Sequence, residues 1–204
     1  MTGPATAQFQ YIPEPREPRS NRTVDTIRGQ YHQFMLIPLM EHHTSWFDAG
    51  PVAIGVEARA LGTSEENMVR GPSIHVCDAS RDQEFIRFDV FGKVLHYHYI
   101  HNDADANTLW GYDPGTNGPM IPWACRSLRD RLPVMLRNAG ADALATEVEE
   151  SGWDSSVLAD VAKAASAALA PREGELELAK EGMAWMHAWK AVHPQFNTVG
   201  EGEY

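Results

Sequence analysis

Apolar and polar residues alternate through the middle of the chain, which is the period of strands with one buried face. Five short segments rich in β-branched and aromatic residues show this pattern and are bounded by Gly, Pro, Asp or Ser. They lie at residues 31–40, 51–61, 73–78, 84–91 and 94–101. We therefore expect an antiparallel sheet of about five strands within residues 30–118.

Beyond residue 118 the apolar period lengthens to that of an α-helix. Three segments show it: 121–140, 154–170 and 173–190. Pro133 should kink or restart the first of these helices, and Asp154 is a good N-cap for the second. Residues 119–204 are thus predicted to form a C-terminal group of three to four helices, which gives an α+β fold.

The first 29 residues have a different composition from the rest of the chain. They carry four of the thirteen prolines and almost no apolar periodicity. Such a segment buries nothing of its own, so residues 1–29 are predicted to form an extended arm. Residues 30–204 are predicted to form a single α+β domain, with the sheet in residues 30–118 and the helices in residues 119–204.

The charge of the chain narrows the classes of partner. Its 28 acidic and 17 basic residues give a formal charge of -11, which would repel nucleic acid and anionic membranes. No apolar run approaches the length of a membrane span, and the start lacks the layout of a secretory signal. The two cysteines fit neither a disulfide framework nor a zinc ribbon. We expect a cytoplasmic protein that binds neither nucleic acid nor membrane.

The strand with the sequence HYHYIH carries the most suggestive chemistry in the chain. Alternate residues of a strand share a face, so His96 and His98 could bind one divalent transition metal if further ligands converge. A hairpin turn at Gly92 and Lys93 would place Asp89 opposite His96. The same register places Arg87 opposite His98, and pairing with the preceding strand adds His75 to this face.

Several interpretations of this face stay open. Arg87 lies between His75 and His98, and a guanidinium favours an anion over a cation. The set Arg87, His75, His98 and Asp89 is therefore a candidate site for a small anionic ligand. The alternative is a metal site of His96, His98 and His75, or one completed by His42 or Asp89. The third interpretation is a solvated face of ordinary cross-strand polar pairs.

Four apolar residues are also expected on the histidine-bearing face, which implies that something covers it. They are Phe85, Phe91, Val94 and Ile100. Elsewhere, Glu41, His42 and His43 offer an acid/base or ligand set, although a surface turn is the favoured explanation. No catalytic residue is assigned.

The apolar residues of the last predicted helix span about half of its circumference, more than one neighbour requires. Met183 and Met186 lie on one side, whereas Trp185 and Trp189 lie on the other. The sheet and the preceding helix could cover both sides. Because Trp and Met are enriched in interfaces, these four residues also form a candidate contact with a protein partner or a second copy of the chain.

The run FDVFGKVLHYHYIH followed by YDPGTNGPMIPWACRSLRDRLPVMLRNAG resembles an uncharacterised bacterial domain family. In that family a His-Tyr-His-Tyr strand precedes an Asp-Pro/Asn-Gly loop and an Arg-Leu-rich helix. The resemblance covers about residues 70–145. It implies a bacterial source and transfers no activity or residue role.

Three functional hypotheses follow, and whether the protein is an enzyme stays open. The favoured one is a non-catalytic accessory subunit or interaction protein of a bacterial cytoplasmic enzyme complex. It would dock through the arm and the last helix and would need no cofactor. The alternatives are a protein or enzyme for a small anionic ligand, and a metal-dependent enzyme that uses His96 and His98.

Overall fold

A seven-stranded antiparallel sheet forms the centre of the fold. The computed structural model describes residues 30–32, 39–92, 94–104 and 106–192. The strands are β1 (Gln30–His32), β2 (Thr44–Asp48), β3 (Val52–Leu61), β4 (Val69–Asp78), β5 (Glu84–Phe91), β6 (Val94–His101) and β7 (Ala106–Gly111). Strands β2 to β7 follow one another as an up-and-down meander, and β1 pairs with β7 at the edge. The predicted arm, residues 1–29, lies outside the described residues.

The helices follow the sheet in the chain. They are α1 (Pro114–Asn117), α2 (Met120–Asn138), α3 (Asp142–Ser151), α4 (Leu158–Ala167) and α5 (Glu175–Val192). The α+β prediction is therefore confirmed, although the sheet has more strands than the five expected. Asp154 accepts a hydrogen bond from the Ser156 backbone N–H at 3.0 Å, at the short 3₁₀ turn that leads into α4.

Helix α2 does not restart at Pro133, because the helix continues through that residue from Met120 to Asn138. Leu128 and Leu132 before the proline and Leu136 after it are all fully buried. Both halves of the helix therefore pack on the same core, and this burial offsets the hydrogen bond that proline removes.

One face of the sheet packs against α2 and α4, and α3 packs on α2, so that together they form the hydrophobic core. Strands β3, β4 and β5 each contribute alternate residues, as the period of a strand requires. These residues are Val52, Ile54, Val56, Ile74, Val76, Ile86, Phe88 and Val90. The opposite face carries the other half of each strand, including the residues that the sequence suggested as a site.

The hairpin between β5 and β6 has the predicted register. Gly92 has a φ of +40°, in the left-handed region that the turn requires of its glycine. Lys93 lies outside the described residues. The pairs are Phe91 with Val94, Asp89 with His96 and Arg87 with His98. The predicted partition of the two faces is therefore confirmed for residues 86–91 and 94–99 of this hairpin.

A β-bulge changes the partition at the start of β5. Cys77 of β4 pairs with Glu84, so that Phe85 is the extra residue of β5. As a result Phe85 belongs to the hydrophobic core, whereas we expected it on the histidine-bearing face. Glu84 takes its place there and binds Arg87.

Helix α5 packs against β3 away from the main core. A Cβ atom on Gly182 would lie 3.2 Å from both the Ala60 carbonyl oxygen and the Leu61 side chain, so the helix approaches the strand closely. Leu61, Ala179 and Met186 are buried but lie outside the core cluster. No helix among the described residues is long and apolar enough to cross a membrane.

Candidate functional site

The sheet face opposite the core helices is both polar and buried. Eight of its polar side chains are no more than 4% exposed: Glu57, Arg59, Ser73, His75, Arg87, Asp89, His98 and Asn107. Burying a charged group is costly unless it is paired, so the contacts among these residues define what the face can do. They form two groups, one around Glu84 and one around Asp89.

Strand register explains why these residues meet. Glu57, Ser73, Asp89 and His96 lie directly opposite one another in a row across β3, β4, β5 and β6. The next row contains Gly55, His75, Arg87 and His98. Opposite residues of antiparallel strands have their Cβ atoms about 5 Å apart. Diagonal neighbours in adjacent rows are about 7–8 Å apart, a distance that long side chains can span, so residues of the two rows can also bind one another.

The first group, which we term the carboxylate network, consists of Glu57, Arg59, His75, Glu84 and Arg87. His75 lies between the two carboxylates, with its Nδ1 2.6 Å from Glu84 Oε1 and its Nε2 3.2 Å from Glu57 Oε2. Burial by itself would lower the pKa of His75. The two carboxylates outweigh burial and raise that pKa above its ordinary value.

Each carboxylate of the network is also held by an arginine. Arg59 donates from Nε at 3.0 Å and from Nη2 at 2.6 Å to the two oxygens of Glu57. Arg87 donates from Nε at 2.8 Å and from Nη2 at 2.5 Å to Glu84. Burial would raise the pKa of Glu57, but the Arg59 charge and its hydrogen bonds lower it to about 2.

The second group, which we term the histidine cluster, consists of Asp89, His96 and His98 with Ser73 and Asn107. Asp89 Oδ2 lies 3.3 Å from His96 Nε2 and 3.2 Å from His98 Nε2. One ring nitrogen of each histidine and one oxygen of Asp89 all lie within 4.8 Å of one another. Ligands about 2.1 Å from a tetrahedral metal are about 3.4 Å apart, which is close to the two distances to Asp89.

Hydrogen bonds fix the orientation of both imidazole rings. His96 Nδ1 lies 3.0 Å from the Val94 carbonyl oxygen, and His98 Nδ1 lies 2.9 Å from Asn107 Oδ1. Both oxygens are acceptors, which favours a proton on each Nδ1. In a neutral ring of this tautomer, Nε2 presents its lone pair to Asp89, whereas a protonated ring donates from Nε2 to Asp89. Metal-binding histidines commonly have this arrangement, in which an outer acceptor holds the other ring nitrogen.

The remaining contacts of the cluster orient its carboxylate. The Ser73 hydroxyl donates to Asp89 Oδ1, which leaves Oδ2 for the two histidines. Burial would raise the pKa of Asp89, but the histidines and the Arg87 charge hold it well below its ordinary value. Burial lowers the pKa of His98, whereas Asp89 outweighs burial at His96 and raises the pKa of that ring.

The structure separates residues that the sequence grouped together. Asp89, His96 and His98 lie together, but His75 binds Glu57 and Glu84 instead of joining the other histidines. Arg87 lies on the predicted face, and its two-pronged contact is made with Glu84. An anionic ligand on Arg87 would therefore compete with Glu84, and this predicted site stays a prediction.

Several residues of the site were not predicted. Glu57 and Arg59 interrupt the apolar sequence VAIGVEARAL at alternate positions, and this was the available signal for a buried polar row on β3. Glu84 joins the site only because of the bulge at Phe85, which the hydrophobic pattern does not reveal. Ser73 and Asn107 join the site through their hydrogen bonds with Asp89 and His98.

The other predicted residues lie away from both groups. Glu41–His43 forms a short 3₁₀ turn. On α5, Met186 is buried within the chain, whereas Met183 and Trp185 are half-buried. The side chain of Trp189 lies outside the described residues. The predicted interface on α5 therefore stays a prediction.

Fold and site together define an α+β protein with a buried cluster of histidine and aspartate on its antiparallel sheet. The chain belongs to a family described as a domain of unknown function (DUF7700), which matches residues 46–165. The match includes the histidine cluster and most of the sheet, and it confirms the resemblance to an uncharacterised domain family. No curated protein and no solved structure matches the chain.

Proposed function

We propose that this protein binds a divalent transition-metal ion through Asp89, His96 and His98. Two imidazoles and one carboxylate suit such an ion, and three protein ligands leave coordination positions open, as in catalytic rather than structural sites. A metal ion bound there would polarise a substrate oxygen or lower the pKa of a bound water. The proposed class is thus a metal-dependent enzyme.

One observation carries the proposal, namely that Nε2 of both histidines lies beside the same carboxylate oxygen while Nδ1 of each ring lies beside another oxygen. The Nε2 atoms are 3.3 and 3.2 Å from Asp89 Oδ2, and the Nδ1 atoms are 3.0 and 2.9 Å from oxygens of Val94 and Asn107. In neutral rings with the proton on Nδ1, the lone pairs of the two Nε2 atoms and of the carboxylate oxygen repel one another unless a cation lies between them. Protonation would serve each ring separately, whereas one metal ion serves both rings and the carboxylate at once.

The charge of Arg87 was the main argument against a metal at this face. The contacts of Arg87 weaken this argument, because Glu84 binds the Arg87 guanidinium through both of its carboxylate oxygens. The Arg87 charge is therefore compensated by a neighbouring carboxylate, and Asp89 retains its Oδ2 for the histidines. Repulsion between the guanidinium and a bound cation is reduced accordingly.

Metal titration of protein purified without an affinity tag and stripped with a chelator tests the proposal. We expect calorimetry with Zn²⁺ or Co²⁺ to show a saturable site and Co²⁺ to give a visible spectrum of nitrogen and oxygen ligation. His96→Ala should weaken binding at this site by roughly 100-fold, because it removes a ligand rather than an outer contact. His96 is the suitable position because its side chain is the most exposed of the three, at 12%.

His187→Ala is the matched control, since His187 is exposed on α5 and far from the cluster in the sequence. Its metal affinity should equal that of the unmodified protein. The thermal midpoint of each variant shows whether it is folded. Wild-type protein without saturable binding, or folded His96→Ala protein with the same affinity and Co²⁺ spectrum as wild type, would overturn the proposal.

The interaction-protein hypothesis is the second candidate. Met183 and Trp185 remain half-buried on α5, which supports contact with another chain. A bacterial cytoplasmic complex as the setting rests on the sequence alone. Mass measurement in solution tests the hypothesis, since Trp185→Ala should convert an oligomer to a monomer or release a copurified chain. A wild-type monomer without a copurified chain would count against it.

A further inference from the structure

A second set of metal-ligating side chains lies outside the histidine cluster, where the turn before β2 meets helix α5. It consists of His42, His43 and Glu181, which offer two ring nitrogens and one carboxylate oxygen within 4.8 Å of one another. His42 Nε2 lies 3.3 Å from Glu181 Oε1. As in the histidine cluster, this distance is close to the separation of about 3.4 Å between two ligands of a tetrahedral metal.

The two histidines come together because the turn is tight. Residues 41–43 form a 3₁₀ turn, and the His42 and His43 rings lie with centroids 4.0 Å apart. Nε2 of His43 is shielded from solvent and has no hydrogen-bond partner among the described residues. A shielded ring nitrogen without a partner costs free energy, so a ligand that binds it would stabilise this arrangement.

A simple ion pair explains only part of this arrangement. The side chains of His42 and Glu181 are 60% and 51% exposed, and ion pairs so exposed contribute at most about 1 kcal/mol. An ion pair between His42 and Glu181 also leaves His43 without a role. A bound cation accounts for both rings and the carboxylate together.

We infer that His42, His43 and Glu181 form a second site for a divalent ion, with Zn²⁺ as the best match to two imidazoles and a carboxylate. This inference does not depend on the histidine cluster. The site joins the turn before β2 to helix α5, so the ion would hold the helix on the sheet. Glu181 adjoins Gly182, where α5 approaches β3 most closely.

Zinc titration in a His96→Ala background tests this site separately, because that substitution weakens the first site. We expect the remaining zinc affinity to fall at least about 10-fold on Glu181→Gln or His42→Ala. Both residues are exposed, so neither change should unfold the protein. Glu177→Gln is the matched control, since Glu177 is an exposed carboxylate one turn earlier on α5 and binds Lys180.

Hydrogen exchange of the α5 backbone amides gives a second measurement. Zinc bound only loosely at the surface would not slow this exchange. Zinc should slow exchange of the α5 backbone amides in the His96→Ala parent and in its Glu177→Gln variant. It should have no such effect in the Glu181→Gln variant. Equal zinc affinity in the Glu181→Gln variant and the parent would overturn the inference, as would α5 exchange that is unchanged by saturating zinc.

Discussion

Removing the Arg87 side chain should destabilise the protein strongly, because Arg87 is buried and pairs with a carboxylate that is mostly shielded from water. Arg87 is 2% exposed and binds Glu84 through two nitrogens. In an Arg87→Met variant, methionine fills much of the space but leaves the Glu84 charge with His75 as its remaining partner in the network. Breaking a buried ion pair in this way costs about 3–5 kcal/mol.

Partial solvation of Glu84 selects the lower end of this range. The Glu84 side chain is 16% exposed, so water can partly stabilise the Glu84 carboxylate charge when Arg87 is removed. We therefore expect a loss of about 3 kcal/mol, which for a chain of this length lowers the thermal midpoint by about 6–12 °C. Urea unfolding followed by circular dichroism measures the free energy, and calorimetry measures the midpoint.

A control variant and a double variant test whether the loss of stability comes from the pairing of Arg87 with Glu84. Arg129→Met removes an arginine that is 56% exposed and paired with an adjacent aspartate, so it should cost less than about 1 kcal/mol. Glu84→Gln combined with Arg87→Met should cost clearly less than the sum of the single changes, because neither charge is left alone. If the double change equals that sum to within about 0.5 kcal/mol, the two side chains are not coupled and the argument fails.

Three further predictions concern packing, thiol reactivity and acid stability. Gly71→Ala should lower the free energy of unfolding in urea by about 3 kcal/mol, because its Cβ would lie 1.9 Å from a backbone oxygen of β5. Gly118→Ala is the control and should cost about 1 kcal/mol, since nothing lies close to that position. Equal costs for the two variants would contradict this prediction. A thiol reagent should modify half-buried Cys125 before buried Cys77, because burial raises the pKa of the Cys77 thiol. Equal rates of modification of the two thiols in folded protein would refute this prediction. The pKa of Glu57 is about 2 in the fold and 4.5 ordinarily, so the stability that the Glu57 carboxylate contributes is present above pH 4.5 and lost as the pH falls toward 2. Glu57→Gln should therefore reduce the loss of unfolding free energy with falling pH on the acid side. An unchanged slope would count against the pairing of Glu57 with Arg59 and His75.

Local patterns in the sequence were sufficient to predict β5 and β6, the strands that carry Asp89, His96 and His98. The bounds of β5 and β6 and their register follow from one glycine turn and from alternation over eight residues. β2 and β7 were missed. β2 is a short edge strand without a fully buried residue, and β7 has a buried start and a half-exposed end, so neither alternates clearly. Helix α3 was also missed, because it buries only Ala145 and Val148.

The chemistry of the site was harder to predict than its position. The sequence placed Asp89, Arg87 and both histidines on one face, but the partner of each depends on neighbouring strands. The sequence predicted the face on which Arg87 lies, but it is the bulge that brings Glu84 beside Arg87. Pairing across a bulge depends on tertiary packing rather than on local periodicity, so the charge balance of this face could not be derived from the pattern alone.

The two polar groups depend on each other because they occupy alternate positions of the same strands. β4 carries Ser73 of the histidine cluster and His75 of the carboxylate network, and β5 carries Asp89 and Arg87 in the same relation. Buried ion pairs add little net stability compared with apolar residues of similar volume, so stability alone is a weak reason for such a network. Its paired carboxylates and arginines do fix the side-chain positions and the register on both sides of Asp89. A metal site needs its ligands held to within about 0.5 Å by residues that are themselves fixed, and rigid strands meet that requirement better than loops. In the proposed metal site, the carboxylate network would be the support that positions the histidine cluster.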